Sequence, residues 1–417
     1  MDTPWFLRFW GRAGEPLTKL SEDDFLMLVR PKCKQIVTEP EFKKLLSQKK
    51  KLKIKLGVDT TGAELHLGHA VPLMLLRLFL RRGYEVHFVI GDFTGQIGDP
   101  AGRTDKRAQL SAADAKKNMK TYTQQIAPLV DLKKTKVHKN SSWLAHMSLA
   151  EYLRVVGAIS FSQVAQREDF RERTKTGAGV TLREANYASL MAIDSLHLKT
   201  DIEVCGIDQL LNTMQAREAM SAAGLAPEVV MATPLIEGTA GDGRKMSKSF
   251  NNYIALAASP DEQFGLIMSI PDTLLFSYFA SFADVYSHEL DDVKKYIAAR
   301  PHDAKKELGM LIVALLHGER AAHTAHGNFE RKFSKKEFTS DDETEVSIPL
   351  PMNIVDALFD AFEREYSRTR IRGLIEQGGV RRIRGTTQHI IATFDEVVND
   401  GDVIKVGKMG LFRFLKK

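Results

Sequence analysis

The stretch "LKIKLGVDTTGAELHLGHAVPLMLLRLFLRRGYEVHFVIGDF", Leu52 to Phe93, decides the fold. Its opening "LKIKLGV" is a β-like run, "MLLRLFLRRG" carries a helical apolar stripe that closes at Gly83, and "EVHFVIGDF" is a continuous apolar strand. Strand, glycine-containing turn, helix and strand make a βαβ unit, which places its parallel strands in one sheet with helices against it. Sheets of this kind bind ligands beyond the carboxyl ends of their strands, so the turn after Gly57 is the first place to look for chemistry.

Working outward, a second βα element stands at "TDIEVCGIDQLLNTMQAREAM", Thr200 to Met220. Between the two, from about Ser111 to Leu182, "AADAKKNMKTYTQQIAPLV" and "SLAEYLRVVG" read as helical and polar, an insertion between the halves of the sheet domain. After "GRKMSKSFNNYI" the chain is helical again to about Phe333, and "SKKEFTSDDETEVSIPLPMN" reads as a charged, proline-bearing linker. The expected architecture is α/β. A Rossmann-like parallel-sheet domain covers 1–240, with the insertion at about 111–182. A lysine-bearing loop and helical domain cover 241–335, a linker 336–352, and a small α+β domain 353–417.

A chain of 417 residues exceeds one ordinary core, and 43% hydrophobic with 27% charged residues is the composition of a soluble globular protein. Net charge +6 and a pI near 9.0 suit an anionic partner without proving one. Only Cys33 and Cys205 occur, without Cys-x-x-Cys spacing, so neither a disulfide framework nor a cysteine zinc site is supported and a cytoplasmic location is expected. The first residues, "MDTPWFLRFWGRAGEP", are interrupted by Arg8 and Arg12; they fail as a signal peptide or membrane span and are expected to pack on the domain. The run Lys49, Lys50, Lys51 and Lys53 reads as solvated surface.

His66 and His69 sit three apart with no glutamate between them, unlike the i, i+4 pair of a zinc-protease helix, and no protein-bound metal is expected. Either histidine alone is more simply a packing residue. Gly57, Gly62 and Gly68 around the same strand-to-helix turn change that balance, because glycine lets backbone approach a ligand and a helix start offers unpaired N–H groups to phosphate. A second constellation, Lys245-Met246-Ser247-Lys248-Ser249, follows the glycine-bearing "GTAGDGR". Alone it is a solvated basic loop; as a mobile loop it places two lysines over a polyphosphate.

Together, "HLGH" and "KMSKS" resemble the signature motifs of the class I aminoacyl-tRNA synthetases. "GDFTGQIGDPAGRTDKR", "YASLMAID" and "CGIDQLLN" resemble segments of bacterial tyrosyl-tRNA synthetases, and "MSIPDTLL" and "LLHGERAA" resemble their helical, anticodon-side domain. The terminal "SRTRIRGLIEQGGVRRIRG" with "DGDVIKVGKMGLFRFLKK" is similar to their α-L RNA-binding module. The resemblance implies that Asp194 accepts from a phenolic hydroxyl, that Tyr187, Asp99 and Gln209 hold an ammonium group, and that Lys55, Thr94 and Met191 complete the tyrosine pocket. It further implies that Thr61, His66, His69, Lys245 and Lys248 act on the phosphates of ATP in the transition state. Gly57, Asp59, Gly68, Arg103, Arg107, Gly206, Asp208, Met246 and Ser247 are implied in binding ATP or pyrophosphate. Arg368, Arg370, Arg372, Arg381, Arg382 and Arg384 are the implied tRNA contacts; from charge alone they are equally a solvated basic face.

The implied reaction joins tyrosine to tRNA(Tyr) at the expense of ATP, with Mg2+ accompanying the ATP, in a homodimer without a membrane. Departures from the family pattern are Thr60 for a proline, Met191 for a glutamine that faces the ammonium group, and Cys205 for a glycine in the ribose wall. Met191 and Cys205 motivate one alternative, a paralogue that adenylates a tyrosine analogue in a biosynthetic pathway. A second alternative is a non-catalytic RNA-binding relative, which would have no use for both intact motifs. Tyr187 and Asp194, seven apart, fall on one helical face, as a shared pocket requires.

Overall fold

The structure is a computed structural model that describes residues 12, 14–48, 51–59, 64–99, 118, 121–177, 179–334, 343–384, 387–407 and 409–417. Its contacts form two compact units, one reaching His326 and one running from Gly327 to Lys417.

The first unit is built on a six-stranded sheet of β1 (Gln35–Val37), β2 (Lys53–Asp59), β3 (Glu85–Gly91), β4 (Thr135–Lys139), β5 (Ile202–Gly206) and β6 (Val229–Thr233), in the order β1-β6-β5-β2-β3-β4. Every pairing is parallel except the edge pair β1–β6. Among the parallel strands, chain order runs outward in both directions from the β2–β5 boundary, the switch point at which such sheets hold ligands. Helices α1 (Glu22–Val29) and α2 (Glu39–Ser47) precede β2, and α3 (Leu67–Arg82) makes the expected crossover to β3. Helix α3 ends at Gly83, whose φ of 89° is the left-handed cap that glycine adopts without a Cβ penalty.

The insertion contains α4 (Leu149–Val156) and α5 (Glu168–Lys175), but the reading of 111–182 as helical is corrected at β4, which pairs in parallel with β3. Of this edge strand only Thr135 is buried, and its lysines and histidine hide the apolar alternation that marks a strand. Helix α6 (Tyr187–Leu198) then covers the sheet, followed by α7 (Leu210–Ala222) after β5. The helical region comprises α8 (Pro260–Ser269), α9 (Leu275–Phe282), α10 (Leu290–Ala299) and α11 (Pro301–His317), with Phe264, Tyr278, Phe279 and Leu308 fully buried. It belongs to the same compact unit as the sheet, so the expected break at 240/241 does not separate two units. Near the start of the described chain, Arg12 forms a two-bond ion pair with Glu289 at 2.7 and 2.9 Å and lies over Tyr286. Among the described residues no single helix is long and apolar enough to cross a membrane.

The second unit holds a five-stranded sheet in the order β10-β9-β12-β13-β7, where β7 is Glu343–Ile348, β9 Val380–Arg384, β10 Thr387–Ile390, β12 Val403–Val406 and β13 Gly410–Lys416. A short pair, β8 (Met352–Asn353) with β11 (Val397–Val398), lies apart from it. Helices α12 (Ile354–Ala361) and α13 (Arg368–Glu376) contribute Ile354, Leu358, Ile371 and Ile375 to a core with Val380, Ile404 and Phe414. The linker reading of 336–352 is corrected from residue 343 onward, because β7 is a strand hydrogen-bonded in parallel to β13, while 336–342 lie outside the described residues. Its partner is at the far end of the chain, so no local pattern announces it.

Candidate active site

A cavity of about 920 Å³ lies at the β2–β5 boundary, lined by Lys55, Gly57 and Asp59 of β2, Cys205 and Gly206 of β5, Tyr187, Met191 and Asp194 of α6, and both signature stretches. His66 is the N-cap of α3. Its Nδ1 accepts the N–H of Gly68 and the Nδ1 of His69 accepts the N–H of His66, both at 3.2 Å, so two imidazoles form a reciprocal cap. A Cβ at residue 68 would stand 2.9 Å from Cε1 of His66, which is why glycine is needed for this closure. Burial, then the charge of His69 and of the loop lysines, pushes His66 down to about 2, and burial, then Lys248, pushes His69 down to about 4. A neutral imidazole that accepts at Nδ1 carries its proton on Nε2. Each histidine therefore offers one N–H donor and no net charge.

The lysine loop is joined to this helix start by backbone. Leu67 N–H donates to the Ile254 carbonyl at 3.0 Å and Leu256 N–H to the Leu65 carbonyl at 2.9 Å, on either side of the bridge between His66 and Ala255. Met246 is buried and its N–H donates to the Ile236 carbonyl at 2.9 Å, which pins the loop between its two lysines. Lys245 Nζ lies 3.4 Å from Asp208 and Lys248 Nζ 3.6 Å from Glu64. Lys245, Met246 and Ser247 line the cavity with Gly206 and Asp208, whereas Lys248 stands with Glu64 outside the lining. Thr61, Arg103 and Arg107 lie outside the described residues.

Elsewhere in the cavity lining, Asp194 accepts from Trp143 Nε1 at 2.8 Å and from Asn140 Nδ2 at 3.3 Å. Burial pushes its carboxyl up to about 6, against the pull of Lys55 and of these two donors. Asp59 accepts from Thr94 Oγ1 at 2.6 Å and from the Tyr187 hydroxyl at 3.0 Å; burial pushes it up to about 7, and the carboxylates of Asp99 and Asp194 add to that rise. Asp59, expected among the ATP-binding residues, is thus hydrogen-bonded to Thr94 and Tyr187, two residues expected in the tyrosine pocket. Asp99 accepts from Gln209 Nε2 at 2.6 Å. Lys55 lines the cavity but its ammonium is engaged with Glu203 at 2.8 Å and Ser195 Oγ at 2.6 Å. Met191 offers the cavity only a thioether, and Cys205 is buried with its thiol held well above the usual range, first by burial. Among the described residues no group of three or more His, Cys, Asp or Glu is placed to hold a metal ion.

Residues 47–334 match the model of the class I tRNA synthetases (W and Y). The chain belongs to this family. It is 34% identical over 399 residues to a tyrosine–tRNA ligase of Thermotoga maritima, covering 94% of this chain and 98% of that one. It is 38% identical over 404 residues to a tyrosine–tRNA ligase of Carboxydothermus hydrogenoformans, covering 94% and 97%. Its fold is similar to that of a C-terminally truncated mitochondrial tyrosyl-tRNA synthetase of Aspergillus nidulans, with a TM-score of 0.64 and 21% identity over 79% of this chain and 98% of that chain. Within this family member, sequence reasoning missed Asn140 and Trp143, which hold Asp194. The available signal was "VHKNSSWL", polar groups at the carboxyl end of a strand that was not recognised as one.

In the second unit the six arginines divide. Arg368 lies 3.9 Å over the Phe359 ring and pairs with Asp356 at 2.7 Å, Arg370 lies 4.3 Å over Tyr366, and Arg372 5.9 Å over Phe394. All three are exposed on α13, as are Arg381 and Arg384 on β9. Arg382 is turned inward: it donates to the Val397 carbonyl at 2.7 Å and pairs with Glu396 at 3.3 Å and Asp402 at 3.5 Å. Its charge is already matched within the unit.

Proposed function

We propose that the chain is a tyrosine–tRNA ligase that activates tyrosine with ATP and transfers it to the terminal adenosine of tRNA(Tyr). The carrying observation is that one cavity holds both a buried, doubly hydrogen-bonded Asp194 and the "HLGH" and "KMSKS" stretches. The tyrosine carboxylate attacks the α-phosphorus of ATP, the bond to pyrophosphate breaks, and a ribose hydroxyl of tRNA later takes the acyl group from the adenylate. A carboxylate is a nucleophile at neutral pH, so the protein's part is positioning and charge stabilisation. His66 and His69 donate from Nε2 to phosphate oxygens, Gly68 and the start of α3 lie against the nucleotide, and Lys245 and Lys248 leave Asp208 and Glu64 for the pyrophosphate. Magnesium enters as part of the ATP substrate. Asp194 accepts the phenolic proton, and Asp99, Tyr187 and Gln209 face the ammonium group.

The exposed arginines of α13 and β9 meet the phosphates of tRNA, with Arg382 left to hold its own unit together. A homodimer is part of the same reading: α4 has no buried residue, and Leu149, Leu153, Phe161 and Leu182 are 71%, 58%, 69% and 76% exposed, an apolar surface that a second copy covers. A cytoplasmic enzyme fits two cysteines without disulfide spacing.

The test is amino-acid-dependent pyrophosphate exchange across the twenty amino acids and tyrosine analogues. Exchange with tyrosine alone is expected. Equal exchange with phenylalanine, or exchange only with a modified tyrosine, overturns the substrate assignment.

A further inference from the structure

Four polar side chains from three separate segments, with Gln209 and Asn212 together at the start of α7, form one directed line that ends in the cavity. Arg167, at the N-cap of α5 in the insertion, donates from Nη1 to Asn212 Oδ1. Asn212 of α7 donates from Nδ2 to Gln209 Oε1 at 2.8 Å, and Gln209 donates from Nε2 to Asp99 Oδ2 at 2.6 Å. Arg167 and Asn212 are 5% and 1% exposed and neither lines the cavity, whereas Gln209 and Asp99 do. The guanidinium is also held against the Phe170 ring, 4.8 Å from its centroid.

Donor and acceptor chemistry fixes the sense of this line. Arginine donates and cannot accept, so Asn212 must turn its oxygen toward Arg167 and its amino group toward Gln209. Gln209 in turn presents its oxygen to Asn212 and its amino group to Asp99. An isolated amide has two orientations of similar energy, and in the second one Gln209 would direct an oxygen at the Asp99 carboxylate and repel it. Met191 adds a reason for this construction, since a thioether provides no useful acceptor for an ammonium group on the neighbouring wall. Capture of the amino group then falls more heavily on Asp99, whose carboxylate a correctly oriented Gln209 holds.

We propose that Asn212 and Arg167 are positioning residues for the α-ammonium group of the amino acid, acting through Gln209 on Asp99. This rests on the reading of Asp99 as an ammonium-binding carboxylate.

The experiment measures equilibrium binding of tyrosine and of 3-(4-hydroxyphenyl)propanoate, which keeps the phenol and carboxylate but lacks the amino group, to the full chain. In Asn212→Leu the relay is cut, and tyrosine affinity is expected to fall roughly 5- to 100-fold while the amino-free analogue changes by about twofold or less. Asn212→Asp keeps an oxygen for Arg167 but has no donor for Gln209, and the same selective loss is expected. Arg167→Met is expected to weaken tyrosine selectively, and Arg167→Lys, which retains a cationic donor, to recover at least part of that loss.

Equal weakening of both ligands in Asn212→Leu and Asn212→Asp means a deformed pocket and overturns the proposal, as does unchanged tyrosine binding. Asp99→Asn separates the two levels. If Asp99→Asn weakens tyrosine selectively and the Asn212 variants do not, the relay is wrong and the assignment of Asp99 stands. If Asp99→Asn is not selective, the assignment of Asp99 itself has failed, and the relay with it.

Discussion

In the cavity Asp194 is 5% exposed and receives donors from Trp143 and Asn140, whereas on the lysine loop the Lys245 and Lys248 side chains are 43% and 38% exposed and stand 3.4 and 3.6 Å from their carboxylate partners. Under the proposed function the two regions answer different demands. Selecting a phenolic hydroxyl requires an acceptor whose position is set before the substrate arrives, in surroundings where an unpaired polar atom is costly. Stabilising a departing pyrophosphate requires charge that is present in the transition state and relinquished afterwards. Exposed ion pairs contribute about 0–1 kcal/mol, so under the proposed function Lys245 and Lys248 can exchange Asp208 and Glu64 for phosphate oxygens at little cost. Under the same reading His66 and His69, held neutral, offer donors without a charge that would trap the product.

This contrast breaks most severely at Asp194. Asp194→Ala removes a buried charged acceptor, at a cost of about 2–5 kcal/mol, or roughly 30- to 5,000-fold in kcat/KM for tyrosine. Phenylalanine, with no hydroxyl to place, is expected to lose far less, so the preference collapses; a preference that survives the substitution removes Asp194 from hydroxyl recognition. At the other side, Lys245→Ala and Lys248→Ala are each expected to slow adenylate formation by about 1.5–3 kcal/mol, roughly 10- to 150-fold, with tyrosine dissociation nearly unmoved. Rapid-quench measurement of the adenylate decides this, and unchanged rates in both variants would mean that the loop does not act on the transition state.

The pH dependence sharpens the comparison because it concerns the buried side alone. Asp194 is pushed up to about 6, above its unfolded value near 3.9, so the folded protein holds this proton more tightly than the unfolded chain. Asp194 therefore costs stability above pH 6, and that cost is relieved as pH falls toward 4. Selection has the opposite sign: the carboxylate accepts from the phenolic hydroxyl more strongly than the protonated acid does, so the ratio of kcat/KM for tyrosine to that for phenylalanine is expected to fall as pH drops below 6. ATP and the amino group are common to both substrates and cancel in the ratio, so a flat ratio between pH 5 and 7 contradicts the assignment.

Smaller effects test the remaining walls. Met191→Gln supplies a missing acceptor for the ammonium group and is expected to lower KM for tyrosine and phenylalanine alike, by about 0.5–1.5 kcal/mol or roughly 2- to 10-fold, leaving their ratio in place. In the second unit, Arg372→Ala is expected to reduce the log–log salt slope of tRNA binding by about 0.7–0.9. Arg382→Ala, whose charge is already matched by Glu396 and Asp402, is expected to leave that slope unchanged and to lower the melting temperature instead. A slope that falls in Arg382→Ala reverses the division between outward and inward arginines.

The βαβ unit, the glycine-closed α3 and the two signature stretches were legible because each rests on local rules: apolar periodicity, a left-handed helix cap, and residue types suited to phosphate at a helix start. Asp194 and Tyr187 were legible for a related reason, since seven residues place two side chains on one face of a helix whatever else surrounds it. Strands β4 and β7 were not, because an edge strand may carry charge on its open side and β7 finds its partner β13 only after the chain has turned back on itself. The supporting groups were illegible for the same cause. Trp143 and Asn140 are anonymous in a polar segment until β4 joins β3 and carries them to Asp194, and Asn212 is one more helix residue until Arg167 arrives from the insertion. Sequence alone determined which residue types and local turns are present and the reaction class they resemble. Only the tertiary structure decided which charges are spent internally, as in Lys55 and Arg382, and which carboxyls are oriented and held protonatable near neutrality, because burial and partnership depend on segments far apart in the chain.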